Sequence, residues 1–246
     1  MECPVMTQVL GSVDWGRAAL ELLGHCRALD DDKPTVMHIR HTERPVINDI
    51  SNGRAALSTP LGKKAAYELG MNLPAGRDYR FYHTYYERTQ ETAESIDEGI
   101  VARGGVSEVV GEMKLRMILD QEKYLRYQSG YSDTDHSAAD FMERWTSGQI
   151  PSQIILPSVE FAKRAAETAM KNLASAGGKP FHIYVSHDVW VAALMFHWFG
   201  VPPHEDWYTF LDGFIVQLGD EGMTVYYRDK KRTVGFPEWW DNSNPV

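Results

Sequence analysis

Val36-Met37-His38-Ile39-Arg40-His41-Thr42-Glu43-Arg44-Pro45 passes from an apolar-rich run to Arg-His within two residues, and a second arginine follows four positions after the first. The run predicts a buried strand over 35–39. In an open α/β sheet, parallel strands present their functional side chains at the carboxyl end, in the crevice where ligands bind. Two guanidiniums flanking one imidazole make a poor core and a good anion site, because arginine forms two-pronged hydrogen bonds to phosphate or carboxylate and keeps its charge.

Two further strand ends repeat this pattern. Residues 79–84 are aromatic-rich and lead into a helix opened by Arg88, with Thr89, Thr92, Ala93 and Ile96 on one face. Residues 182–186 form the third strand, His187-Asp188 sits at its end, and 189–199 reads as a buried helix behind it. Thr59-Pro60 starts a helix that runs to about Leu69 and is closed by Gly70. Ser158 caps a helix reaching Ala174, and 213–218 with 223–228 form a hairpin around Gly219-Asp220-Glu221-Gly222. Upstream, 15–29 is helical with Asp14 as its cap, so 1–34 reads as an N-terminal helical extension. Residues 48–54 are irregular and polar. Residues 100–156 are the least regular, with Tyr124, Tyr127, Tyr131, Phe141 and Trp145 scattered among charges, and read as a cap insertion over the site. No repeat or linker divides 1–246, so a single domain is expected.

The chain has 246 residues, 43% hydrophobic and 24% charged, with no apolar run long enough to span a bilayer. Met1-Glu2-Cys3-Pro4 lacks the basic and apolar regions of a secretory signal, which makes the cytoplasm the default location. Cys3 and Cys26 are the only cysteines, which excludes a disulfide framework and a cysteine-based zinc site. A net charge of -9 opposes binding to nucleic acid or an anionic membrane, so any anion-seeking arginines act locally.

With Arg40-His41-Thr42, Arg88 four residues before Thr92-Ala93, and a strand ending in Ser186-His187, the sequence resembles the histidine phosphatase superfamily over about 36–218. The resemblance implies a phosphoglycerate mutase-like fold, a three-layer α/β/α sandwich with a mainly parallel central sheet and a small insertion over the site. It also implies His41 as nucleophile, Arg40, Arg44, Arg88 and His187 around the phosphate, and no metal or cofactor. Arg44 and the His187-Asp188 pair favour the acid-phosphatase-like branch, with Asp188 as the acid. In the mutase-like branch the acid is a glutamate after the second helix, a role for which Asp120 and Glu122 are the alternatives. Thr42 departs from the family glycine, and His83-Thr84-Tyr85-Tyr86 from a serine-rich turn.

The chemistry agrees with this assignment. A phosphate monoester resists attack because its oxygens are negative, so a catalyst neutralises them and holds a nucleophile in line. Cationic neighbours disfavour protonation of His41 and keep it nucleophilic. Attack gives a phosphohistidine, and Asp188 then serves as acid and base in turn. The expected activity is metal-independent hydrolysis of a small phosphomonoester.

Taken singly, the residues have plainer readings. His41 is then a loop histidine, and Arg88 a solvated helix start, although a cation is disfavoured at a helix N-terminus unless an anion is present. His38 alternates away from the loop and reads as a core histidine; His25, His136, His182, His197 and His204 read as structural or surface. Glu43 reads as a solvated loop residue, and Trp239-Trp240 as a plug for the domain edge. The aromatics of 124–145 supply core, or a wall for an apolar leaving group. Three other functions stay open: a phosphomutase using the same histidine, a metal-dependent His-Asp phosphohydrolase, and a silent phospholigand-binding protein. The sequence leaves the substrate open, and also the oligomeric state, a homo-oligomer included.

Overall fold

Strand β1 (Thr35–Arg40) is buried from Thr35 to Ile39 and alternates its side chains between two apolar layers. Met37 and Ile39 face one layer, Val36 the other. The computed structural model describes residues 8–47, 50–129, 138–177, 180–202, 207–220 and 222–240. Among these, the seven-stranded sheet has the order β3-β2-β4-β1-β5-β6-β7. β3 (Val106–Glu112), β2 (Asp78–His83), β4 (Pro180–Ser186) and β1 run parallel. β5 (Gly213–Gly219), β6 (Gly222–Tyr227) and β7 (Lys230–Val234) add an antiparallel edge.

Helices cover both faces, which gives the three layers expected. On one face α1 (Arg17–Cys26), α2 (Pro60–Asn72) and α3 (Glu87–Ala102) bury Leu22, Leu69 and Ile96 against Met37, Phe81 and Ile183. On the other, α5 (Ala138–Thr146), α6 (Ser158–Ala174) and α7 (Asp188–Phe199) bury Trp145, Phe161 and Trp190 against Tyr184 and Phe214. α7 is apolar on nearly every face because it is buried nearly all round. No helix among the described residues is long and apolar enough to cross a membrane.

Several sequence expectations shift. Thr59 does cap α2, accepting from Gly62 N at 2.9 Å, but the helix continues through Gly70 to Asn72. Asp14 begins a short 3-10 turn and does not cap α1, and Ser158 is the first residue of α6, behind an N-cap at Pro157. The polar stretch around Arg54 is a 3-10 turn, Ile50–Ala55. The upstream segment is tied in: Val9 and Leu10 donate their backbone N–H groups to the Glu68 carboxylate of α2 at 2.7 and 3.2 Å. Residues 100–156 are more regular than expected, holding the end of α3, β3, α4 (Gln121–Ser129) and α5. β3 is an edge strand exposed or half-exposed throughout, so it lacks the apolar run that marks a strand in sequence. β7 was missed for the same reason. Of the histidines read as structural, His136 and His204 lie outside the described residues, as does Tyr131.

Candidate active site

The register of the sheet brings three strand ends side by side. Arg40 of β1 is level with Ser186 of β4, and His83 of β2 with Val185. The next residues are therefore His41, His187 and Thr84, and His41 N donates to Ser186 O at 2.9 Å. The loop after β1 is fastened below. Thr42 N donates to Thr92 Oγ1 at 3.0 Å, and Thr42 Oγ1 donates to Gly62 O at 2.8 Å. The threonine thus turns its side chain into the fold, away from the cleft, while Glu43 accepts from the Thr59 hydroxyl rather than standing in solvent. Gly62 permits this approach: a Cβ there would lie 2.6 Å from Glu43 O.

His41 is buried, and its Nδ1 lies 2.7 Å from Thr42 O, so Nδ1 carries the proton and donates it. Nε2 then bears a lone pair, which accepts from Arg88 Nε at 2.9 Å. Burial, followed by Arg88, His187 and Arg40, holds the His41 imidazole well below the ordinary histidine range. The ring is neutral at neutral pH, with Nε2 facing the arginine.

Arg88 enters from the first turn of α3. Its Nη1 donates to Gly53 O and its Nη2 to His187 Nδ1 at 3.4 Å. Burial and the cation of Arg44 bring it down to about 10, which still leaves it charged at neutral pH. With Nδ1 of His187 accepting, its Nε2 donates to Thr84 Oγ1 at 3.1 Å, and Thr84 and Thr89 carry the chain on to Tyr86 O. Burial first, then Arg88, Arg40 and Arg44, keep His187 neutral as well.

Asp188 opens α7 with Oδ1 accepting from Val189 N at 2.9 Å. Oδ2 accepts from Trp207 Nε1 at 3.0 Å and lies 3.3 Å from Arg40 Nη2. Arg40 also donates to Tyr208 O and rests over the Phe210 ring at 4.7 Å. Arg44 is half-buried and depressed by burial and by Arg40. These residues border one cleft of about 340 Å³, with Arg40, His41, Arg44, Arg88, His187 and Asp188 at one end.

Asp120 and Glu122 lie elsewhere. Asp120 accepts from Lys123 N at 3.0 Å at the start of α4, and Glu122 is exposed and paired with Arg126 at 2.7 Å. The same segment sends Met117, Ile118, Gln121 and Tyr124 to the cleft. Among the described residues no group of three His, Cys, Asp or Glu side chains is placed to hold a metal ion, so the His-Asp metal reading finds no donor set there. His38 is a core histidine, stacked on Tyr184 at 4.7 Å between centroids. Thr84 enters the sequence reading only as part of the turn that departs from the family's serine-rich one, and Trp207 and Phe210 do not enter it. A strand end next to Arg88 could have suggested Thr84, but no local pattern marks Trp207.

The family model described as the histidine phosphatase superfamily (branch 1) matches residues 56–216. The match begins downstream of Arg40, His41 and Arg44 and includes Arg88, His187 and Asp188. It is a branch 1 model, so the preference for the acid-phosphatase-like branch drawn from Arg44 and His187-Asp188 is not upheld. No curated protein sequence matches the chain. Among solved structures, Mycobacterial hydrolase 1 is 14% identical with a TM-score of 0.50, over 82% of this chain and 98% of that one. YhfR of Bacillus stearothermophilus is 18% identical with a TM-score of 0.52, over 80% and 97%. At these identities the likeness is one of fold.

Proposed function

Because the chain belongs to the histidine phosphatase superfamily, we propose that it hydrolyses a small phosphomonoester without a metal, through a phosphohistidine on His41. The observation that carries this reading is the His41 ring: Nδ1–H is committed to Thr42 O, and the Nε2 lone pair faces Arg88 at 2.9 Å, in an end of the cleft also lined by Arg40, Arg44 and His187. Phosphate oxygens drawn to Arg88 compete with Nε2 for the guanidinium and leave the lone pair free for phosphorus. Nε2 attacks, the bond from phosphorus to the ester oxygen breaks, and the departing oxygen takes a proton from Asp188. The carboxylate formed then removes a proton from water as that water attacks phosphorus and releases Nε2. Asp188 is preferred to Asp120 and Glu122 because it alone of the three lines the cleft.

The test is release of phosphate from an aryl phosphate between pH 4 and 8, with and without chelator, by wild type and His41→Ala. Chelator-resistant release that falls by at least about a thousand-fold in the variant is expected, the scale for loss of a covalent nucleophile. Appreciable release by a folded His41→Ala protein would remove His41 from the role. An isomerised phosphoester without free phosphate would replace hydrolysis by transfer.

A further inference from the structure

We infer that the alcohol half of the substrate is an uncharged aryl-bearing group; this rests on the phosphomonoester reading above and goes beyond it. The cleft has two chemically distinct ends. Among the described lining residues, the arginines are Arg40, Arg44 and Arg88, gathered about His41 and His187. The rest of the wall is mainly aromatic and apolar, with Tyr85, Tyr86, Met117, Ile118, Tyr124 and Trp190, and Gln121 adds one uncharged amide. The boundary falls at Tyr86, whose ring stands edge-on to His187 at 4.6 Å and lies under the Arg88 guanidinium at 4.6 Å.

This wall is formed rather than loose. Trp190, Met117 and Tyr124 are 4%, 7% and 9% exposed, and the Tyr124 hydroxyl accepts from Gln128 at 2.9 Å. Aromatic faces held in this way favour an aryl group through area and ring geometry. A second carboxylate or phosphate on the substrate would lose hydration against these faces with no lining cation beyond the three arginines gathered about the phosphate, which is costly. Arg54 and Arg116 stand over Tyr85 at 5.7 and 4.1 Å, but neither lines the cleft, and Arg116 is paired with Glu112 at 2.6 Å. The volume of about 340 Å³ is at the low end for small-molecule sites, which suits a free arylalkyl phosphate.

Leaving-group chemistry is held constant by comparing two primary alkyl phosphates, 2-phenylethyl phosphate and 3-phosphoglycerate. Wild type should show kcat/KM at least about ten-fold higher for the phenylethyl ester, the scale of a specific apolar pocket. Met117→Lys should narrow that ratio by bringing a cation to the wall. Equal or higher kcat/KM for 3-phosphoglycerate in wild type, or an unchanged ratio in folded Met117→Lys, overturns the inference. Calorimetric binding of 2-phenylethylphosphonate and phosphonoacetate, neither of which can be hydrolysed, separates the two readings. Preferential binding of the phenylethyl compound without turnover of either ester upholds the aryl site and sinks the phosphatase reading; no preference together with no turnover sinks both.

Discussion

Trp207 donates its indole N–H to Asp188 Oδ2 at 3.0 Å, and Arg40 holds the same oxygen by charge at 3.3 Å. The two holds differ once an anion enters the cleft. Arg40 is then shared with the anion, whereas the indole N–H has no second demand on it, so the Asp188 rotamer comes to rest on Trp207. Trp207→Phe should therefore lower kcat on alkyl phosphates on the order of ten-fold, the equivalent of ~1.4 kcal/mol. It should leave an aryl phosphate with a good leaving group nearly unaffected, since that oxygen departs without a proton. A plot of kcat against leaving-group pKa for wild type and variant checks this, and an equal loss on both ester types would make Trp207 merely structural. At this scale the sequence was partly legible. Arg40, His41, Arg88, His187 and Asp188 could be read because each sits where an apolar run stops. Trp207 could not, because it lies in the loop that follows α7, and no local pattern marks its return to the first residue of that helix.

α2 and α3 meet more closely than side chains allow. A Cβ on Gly70 would lie 2.0 Å from Ile96 O, and one on Gly99 2.2 Å from Tyr67 O, so the two helices touch through glycine backbones. This is why Gly70 does not end α2 as its sequence position suggests: it is a contact residue inside the helix, which stops two residues later at Asn72. The contact also fixes α3, whose first turn carries Arg88. In a free helix Gly→Ala stabilises by roughly 0.5–1 kcal/mol. Here the added methyl meets a backbone oxygen that cannot rotate away, and overpacking of this kind costs about 1–3 kcal/mol. Gly70→Ala should accordingly lower the melting temperature by several degrees, read by calorimetry, while Gly76→Ala is no control because Gly76 has a φ of +78°. A Tm unchanged or raised in Gly70→Ala would mean that the helices can separate without loss. Helix existence was legible from helical spacing in α1 and α3, from the residues that start them in α2 and α6, and from a continuous apolar run in α7; β3 and β7 were not legible, because an exposed edge strand carries no apolar signal.

Four buried histidines, His38, His41, His182 and His187, are held in neutral form. Burial holds the His38 imidazole down to about 3 between Tyr184 and Phe214, and the His182 imidazole down to about 4, with Arg80 adding to the effect. His41 and His187 are displaced in the same direction. The sequence reading of His38 as a core histidine rested on its alternation within the strand, and His182 read only as structural or surface; neither reading carried a sense of how many uncharged imidazoles one sheet accumulates. In the unfolded chain each titrates near about 6.5, so below that pH the unfolded state binds protons that the native state excludes. Stability is therefore present above about pH 6.5 and is lost as pH falls toward 4. His38 and His182 each account for ~2 kcal/mol between pH 7 and 5. Asp212 works against them: burial pushes its carboxyl up to about 6, so it takes a proton in the native state over this window and returns ~1.3 kcal/mol. Two histidines outweigh one carboxyl, and the protein should be measurably less stable to urea at pH 5 than at pH 7. His182 offers the cleanest test, since among the described residues neither of its ring nitrogens has a hydrogen-bond partner. His182→Leu should lose ~2 kcal/mol less than wild type between the two pH values, from urea midpoints and slopes. Parallel losses in the two proteins would mean that His182 is protonated in the native state, and the excluded proton would have to be sought at His38 and in the cleft.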